Sequence, residues 1–461
     1  MLPHKLARLL VARRRTVTAT VAVSLALLTV LTATPASAKT AADVSPSSSS
    51  LPPSLPHRSW NGLALTPPMG FDTWQNYGTN NTQQDIVDAA NMLVSTGLAK
   101  LGYNYVVVSE GWNTTYRDAN GNLVADPDPT KFPKGIKWLA NYVHSRGLKF
   151  GIYEDVGTMT CAGRAGMYGH YQQDMNQFAS WGVDYLWEDG CNVPYDSYPE
   201  QTRAQVANKL WGQVAQAIRN TGRRIVNEDS APADFLNYRT NEPEPGYEQV
   251  MARVAQYGNT FRIGSDIRDD WGSIVRNYQQ DNAPNLASYA GPGHWSSPDF
   301  LLVGNQTAEQ AGLTSTQEQS QLSLWAELAS PLWFSVDPKH LSSDALRILS
   351  NKSVIAIDQD PLGAQGTIVQ SGTNYDVLAK PLANGDVSVA LFNRGSTPIS
   401  IATTARTVGL RRSDEYVLDD LWTKKSTVST NRIAATVEPG QVVLYRVSTD
   451  KGVKGGVKVG Q

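Results

Sequence analysis

Two hydrophobic patterns alternate between residues 60 and 363. Short apolar runs rich in aromatic and β-branched side chains stop abruptly at polar or acidic residues, and a stretch with apolar positions at helical spacing follows each. Tyr105-Val106-Val107-Val108 ends in Ser109-Glu110, Phe150-Gly151-Ile152-Tyr153 in Glu154-Asp155, and Asp184-Tyr185-Leu186-Trp187 in Glu188-Asp189. Arg224-Ile225-Val226 ends in Asn227-Glu228-Asp229, and Phe261-Arg262-Ile263 in Gly264-Ser265-Asp266. Helices are predicted at 84–100, 134–146, 168–181, 200–221 and 317–329. Strand–helix alternation means a parallel sheet. About 300 residues with about eight such units fit a closed (β/α)8 TIM barrel over 60–363 better than an open sheet. The C-terminal strand ends build the site in such barrels, and the acids fall there.

From about residue 365 the helical spacing disappears. Alternating runs at Tyr375–Ala379, Val387–Asn393, Glu415–Asp419 and Val442–Val447, with an Asn384-Gly385 turn, predict a C-terminal antiparallel β-sandwich over 364–448. At the other end Lys5, Arg8, Arg13, Arg14 and Arg15 precede an apolar stretch from Val17 to Leu31 and the small-residue site Ala36-Ser37-Ala38. Residues 1–38 therefore read as a secretory signal rather than an anchor, and the mature protein is expected to be secreted. Residues 39–59 read as a Ser/Pro-rich linker and 449–461 as a flexible tail.

Composition narrows the chemistry. Forty basic against 42 acidic side chains leave a formal charge of −2, without the basic blocks a nucleic-acid partner requires. After signal cleavage no membrane association is expected, because no other segment approaches the ~18 apolar residues of a span. The six histidines form no metal-binding spacing, and there is no G-x-S-x-G elbow or Walker loop. Twelve Trp and 19 Tyr suit a protein that stacks sugars, and an oligo- or polysaccharide is the expected partner. No cofactor or metal is implied. What remains is a ring of strand-end carboxylates, and paired carboxylates suit glycoside hydrolysis; a carboxylate–metal site or acids that cap helices and pair with Arg are the alternatives. Joining the only two cysteines, Cys161 and Cys191, would tie neighbouring loops together beside Asp189, worth about 3–4 kcal/mol in the chain-entropy model.

An ordered set of segments carries a resemblance. It comprises Thr66-Pro67-Pro68-Met69-Gly70 with Trp74, Gly97-Leu98-Ala99 leading to Gly102-Tyr103, and Phe132-Pro133-Lys134-Gly135-Ile136. Gly151-Ile152-Tyr153 leads to Thr160-Cys161-Ala162-Gly163, and Trp181-Gly182-Val183-Asp184-Tyr185-Leu186 follows. Gly291-Pro292-Gly293 with Pro298-Asp299, and Asn351-Lys352 through Gln359-Asp360-Pro361-Leu362-Gly363, complete it. From about residue 64 to 363 the chain resembles glycoside hydrolase family 27, the α-galactosidases and α-N-acetylgalactosaminidases. The resemblance implies a retaining mechanism with Asp189 as nucleophile and Asp266 as acid/base, Arg262 binding sugar hydroxyls, Trp74 and Tyr153 lining the sugar site, and a Cys161–Cys191 disulfide. Glu188 is the rival to Asp189; adjacent strand residues point to opposite faces, and the resemblance selects Asp189.

Departures from the family pattern lie where it grips the sugar. The family's Asp-Asp-Cys-Trp segment is Ser109-Glu110-Gly111-Trp112 here, and its lysine two residues before the nucleophile is Trp187. A family disulfide is lost at both ends, where Gly111 and Thr79 stand. Glu110 and Trp187 are retained as candidate substrate-binding residues. The expected activity is exo-acting α-galactosidase. The alternatives are an isomaltodextranase-like α-glucan hydrolase, a β-L-arabinopyranosidase accommodated by the longer Glu110, and a non-catalytic carbohydrate-binding protein. Asp299 is expected to support the site wall, and Tyr416 and Trp422 to serve packing more than sugar binding.

Overall fold

The computed structural model describes residues 60–237, 239–240, 242–281, 286–304 and 312–449. The expected signal at 1–38, the linker at 39–59 and all of the tail except Thr449 lie outside them. Among the described residues no helix is long and apolar enough to cross a membrane.

Eight parallel strands form the first domain: β1 Met69–Asp72, β2 Tyr105–Val108, β3 Lys149–Asp155, β4 Tyr185–Asp189, β5 Val226–Asp229, β6 Thr260–Arg262, β7 Trp295–Ser297 and β8 Leu332–Phe334. They neighbour one another in chain order, with β8 paired to β1. The ring closes where Leu301, just beyond β7, bridges Phe334 in parallel. Helices α1 Gln83–Ser95, α2 Gly135–Ser145, α3 Tyr171–Trp181, α4 Arg203–Thr221, α5 Tyr247–Tyr257, α6 Trp271–Asp281 and α7 Ser315–Leu328 lie between strands, with α8 Ser343–Leu349 and α9 Lys352–Asp358 after β8.

Local chemistry sets these boundaries. α1, α4 and α7 each begin at a capping box, Thr82 with Asp85, Thr202 with Gln205 and Thr314 with Gln317, which satisfies two otherwise orphaned amides. Inside the barrel, Tyr105, Tyr185, Trp187, Trp333 and Phe300 interlock, with Tyr185 and Trp333 ring centroids 4.8 Å apart. Space for those rings comes from Gly70 and Gly151, where an added Cβ would meet Trp333 at 2.7 Å and Val107 at 2.6 Å. Trp112, Trp211, Trp295, Trp325 and Trp333 are among the largest fully buried side chains. Much of the tryptophan content read as a sugar-stacking signal is therefore core.

The second domain is antiparallel. Strands β9 Thr367–Ser371, β10 Tyr375–Pro381, β11 Val387–Asn393, β13 Tyr416–Asp420, β14 Ser426–Ser429 and β16 Val442–Thr449 form one sheet in the order β9-β10-β11-β16-β13-β14. Strands β12 Ile399–Thr404 and β15 Arg432–Val437 pair as the facing sheet. Period-2 alternation divides the large sheet between two cores. Val377, Val389 and Leu391 face β12 and β15, whereas Leu378, Ala390 and Phe392 pack on the barrel. Tyr416 is buried in the sandwich core, and the Trp422 indole donates to Ser323 Oγ of α7 at 2.8 Å, so both serve packing.

Candidate active site

The barrel mouth is built on β3 and β4. Register pairs Tyr153 with Trp187 and Asp155 with Asp189. Asp189 turns into the mouth, while Glu188, one residue earlier, is fully buried and accepts from Asn227 Nδ2 at 2.9 Å. The loops that follow are joined by a Cys161–Cys191 disulfide, with Cα atoms 5.1 Å apart. Asp155 clamps the same loops by accepting from the amides of Gly157 and Cys191, each at 2.7 Å. Burial first, and then the nearby Asp189, hold the Asp155 carboxyl well above the usual carboxylate range.

Asp189 is held from several directions. Tyr153 Oη donates to Oδ2 at 3.0 Å, the Gly190 amide donates to Oδ1 at 3.0 Å, and Ser230 Oγ lies 3.4 Å from Oδ1. Burial, then Asp189 itself, push the Tyr153 phenol up, so it stays a donor. Arg262, at the end of β6, joins this group to Asp266 in the loop that follows its own strand. Its Nη2 is 3.8 Å from Asp189 Oδ1 and its Nη1 is 2.8 Å from Asp266 Oδ1. Burial opposes the charge on Arg262, but Asp266, Asp189, Asp299 and Asp234 hold its pKa above the ordinary value. The two acids differ in access: the Asp189 side chain is 17% exposed and that of Asp266 70%.

The Asp266 loop is anchored from below. Asp299, in the left-handed region at φ 76°, accepts from the Ile267 amide at 2.8 Å and the Phe300 amide at 2.9 Å. Burial pushes its carboxyl up to about 6 against the pull of Arg262. Trp74 enters the rim on the helical turn Trp74–Tyr77 after β1, and its amide donates to Asp72 Oδ1 at 2.7 Å. The neighbouring Gln75 reaches the Ile267 carbonyl at 3.4 Å, which links that turn to the Asp266 loop.

Just beyond β2 the chain departs from the family pattern in a specific way. Glu110 is buried, and its Oε1 accepts from the Ala162 amide at 2.6 Å, beside the disulfide. Burial raises its pKa, with Thr160 and Ala162 opposing the shift. Glu110 thus braces the disulfide loop with one carboxylate oxygen. Gly111 and Thr79 are neighbours, since a Cβ on Gly111 would lie 2.8 Å from the Thr79 Cα. Hydrogen bonds secure that junction: Asn81 Nδ2 donates to the Glu110 carbonyl at 2.6 Å, and Lys131 Nζ to the Thr79 carbonyl at 3.0 Å. Trp187 is 5% exposed and stacks on Phe300, centroids 4.9 Å apart and planes 8° apart. That face, which the sequence offered to the sugar, is spent on the floor of the site.

Three further acids surround this group. Glu228 faces the barrel interior, accepts from Tyr185 Oη, and is pushed by burial to about 7. Asp234 and Asp72 are held well above the usual range, burial acting first in each. The sequence signalled Glu228 as a strand-end acid without distinguishing it from Asp229. Asp234 lies on a loop turn and Asp72 on a four-residue strand, too short to show periodicity. Ligand atoms of Asp155, Asp189, Cys161 and Cys191 lie within 4.8 Å of one another. Both sulfurs are consumed in the disulfide, which leaves two carboxylates, too few to enclose a metal.

Carboxylates paired through one guanidinium at the C-terminal mouth of a parallel barrel, with an antiparallel sandwich behind, place the chain among glycoside hydrolases. The family model described as alpha galactosidase A matches residues 66–360, and that of the alpha galactosidase C-terminal beta sandwich domain matches 372–447. The chain is 38% identical over 386 residues to an alpha-galactosidase of Oryza sativa, covering 84% of this chain and 85% of that one. It is 36% identical over 403 residues to the alpha-N-acetylgalactosaminidase of Gallus gallus, covering 84% and 94%. The crystal structure of alpha-galactosidase I from Mortierella vinacea superposes with a TM-score of 0.75, at 29% identity and with coverage of 84% of this chain and 98% of that one. The chain belongs to the α-galactosidase family, glycoside hydrolase family 27, and is an O-glycosyl hydrolase.

Proposed function

We propose that this chain is a secreted, exo-acting, retaining α-glycosidase that removes terminal α-galactosyl groups. The observation that carries the reading is Arg262, which holds the Asp189 and Asp266 carboxyl groups at one guanidinium. Asp189, recessed and oriented by Tyr153 and Gly190, attacks the anomeric carbon as the glycosidic C–O bond breaks. Asp266, on the exposed side where a leaving group departs, gives its proton to the departing oxygen. The resulting glycosyl ester is resolved by water, with Asp266 taking the water's proton and Asp189 leaving as carboxylate. Trp187 stacked on Phe300 closes the floor, which suits removal of a terminal unit over threading of a chain.

A second reading keeps the mechanism and changes the sugar. Glu110 bonded to the Ala162 amide, and an indole where the family carries lysine, leave fewer groups to grip an axial 4-hydroxyl. The weaker grip on an axial 4-hydroxyl favours an α-glucan, and the longer Glu110, crowding the side where a hexose carries C6, favours a β-L-arabinopyranoside. The test is turnover of p-nitrophenyl α-galactoside, β-L-arabinopyranoside and α-glucoside, with dextran alongside. Dominant α-galactoside hydrolysis is expected. Strong activity on another substrate with little on α-galactoside would replace the first reading by the second, and inactivity on all four would sink both.

A further inference from the structure

We propose that the outer face of the barrel, over α3 and α4, is a second carbohydrate-binding site that holds a neutral polysaccharide chain away from the catalytic mouth. A groove of about 470 Å³ there is lined by Tyr168, Tyr198, Gln172, Gln213, Gln216 and Asn220, together with Tyr171. On the other side of α3 a second groove, of about 640 Å³, is lined by Trp181, Asn122, Gln173, Asn176, Gln177 and Ser180. No charged side chain lines either one. A row of amides connects them. Gln216 Nε2 donates to Asn220 Oδ1 at 2.8 Å, Asn220 Nδ2 to Gln172 Oε1 at 2.7 Å, and Gln172 Nε2 to Asn176 Oδ1 at 3.0 Å.

This face is unusual for a surface helix, whose solvent side is normally charged. The one acid of α3, Asp174, is buried against Arg117 at 2.7 Å, and the exposed positions are Gln172, Asn176 and Ser180. Charges sit at the margin, where Lys209 lies 4.3 Å over the Tyr198 ring and Arg219 bonds Gln216 at 3.2 Å. Side-chain amides present a donor and an acceptor together, which matches vicinal hydroxyls. Aromatic rings take the C–H faces of a pyranose, and grooves with no charged side chain in their lining suit a neutral ligand. Tyr168 and Tyr198, their hydroxyls 3.1 Å apart, lie on the two loops that the Cys161–Cys191 disulfide joins. A chain held here is therefore anchored to the loops that flank Asp189.

The test uses the full chain carrying Asp189→Asn, run in native gels cast with guar galactomannan, arabinogalactan or dextran. Retarded migration in at least one gel is expected. Tyr198→Ala and, separately, the exposed pair Gln216→Ala with Asn220→Ala should weaken that retardation by about tenfold, the loss of one good contact. On the unmutated catalytic background the same variants should turn over p-nitrophenyl glycosides unchanged, which also verifies that they fold. Free migration in all three gels, or retardation that the groove variants keep, overturns the proposal. Binding by an inactive chain is read separately from turnover, so this result stands apart from the identity of the sugar hydrolysed.

Discussion

Two gatherings of carboxyl groups, one at the barrel mouth and one at the seam between barrel and sandwich, are built differently. At the mouth Asp189 and Asp266 share the Arg262 guanidinium, and one of them opens to solvent. Glu327 at the seam accepts from Ser388 Oγ, and Asp358 from Gln359 Nε2 at 2.7 Å. Asp281 takes Ser296 Oγ, with Ser330 Oγ at 3.4 Å and Gln365 Nε2 donating to its carbonyl at 2.9 Å. Burial pushes Glu327 and Asp281 to about 7 and Asp358 to about 8. Lys380, the cation among them, spends a donor on the Ala326 carbonyl at 2.7 Å. Raised carboxyl pKa values alone therefore do not mark a site. What distinguishes the mouth is that its acids share a cation and also have a path to solvent, whereas Lys380, which acts on both Asp358 and Glu327, is buried with them.

The largest expected effect breaks that comparison at the mouth. Asp189→Asn should lower kcat on the preferred p-nitrophenyl glycoside by about 10,000-fold, the size seen when a residue that acts within a catalytic unit is removed. Stability should hold or rise, because the Asp189 charge raises the proton affinity of Asp155, Asp234 and Glu110, and its removal relieves them. Kinetics and a melting curve on the same preparation decide it. A large loss of melting temperature alongside the loss of turnover would mean that Asp189 is as structural as the seam acids.

A smaller effect is expected at the seam, and it concerns pH. Folded-state pKa values of about 7 for Asp281 and Glu327 and about 8 for Asp358 lie above the unfolded values, so the folded chain binds more protons between about pH 4 and 8. That contribution is fully present below the unfolded pKa and is lost as pH rises through the folded one. The melting temperature should fall by roughly 5 °C between pH 5 and pH 8. Asp281→Asn, whose amide oxygen still accepts from Ser296, should flatten the slope and leave kcat unchanged. A slope that Asp281→Asn leaves untouched would remove Asp281 from the set that produces it.

How far the sequence reaches follows the same physics. Strands β2 to β6 were legible because apolar runs end in acids, and that ending is what a barrel mouth requires. β7 and β8, three residues each, are too short to show a period, as is β6, which the acid at Asp266 marked, and Asp299 bends the chain between β7 and its bridge at Leu301. In the sandwich, β10, β11, β13 and β16 were read from alternation. The edge strands β9 and β14 expose most of their residues and carry little of it. At the site, strand-end position and the family resemblance singled out Asp189, Arg262, Tyr153 and Asp266. The roles of Glu110 and Trp187 were hidden because each depends on a partner distant in sequence, Ala162 for one and Phe300 for the other.

The smallest expected effect sharpens the comparison inside the mouth, between the acids proposed to do the chemistry and the one proposed to limit room. The Glu110 carboxylate accepts from the Ala162 amide, 2.6 Å from nitrogen to oxygen. Glu110→Asp withdraws the carboxylate by one methylene, releases that amide and opens space on the side where a hexose carries C6. The ratio of kcat/KM for p-nitrophenyl α-galactoside over p-nitrophenyl β-L-arabinopyranoside should rise by about tenfold, the discrimination that one methylene supplies. Melting temperature should fall slightly for the lost hydrogen bond, by an amount near 1 kcal/mol or about 2–4 °C. Equal losses on both substrates would instead make Glu110 a strut for the disulfide loop, and the choice of sugar would then rest on Trp187 and the residues packed around it.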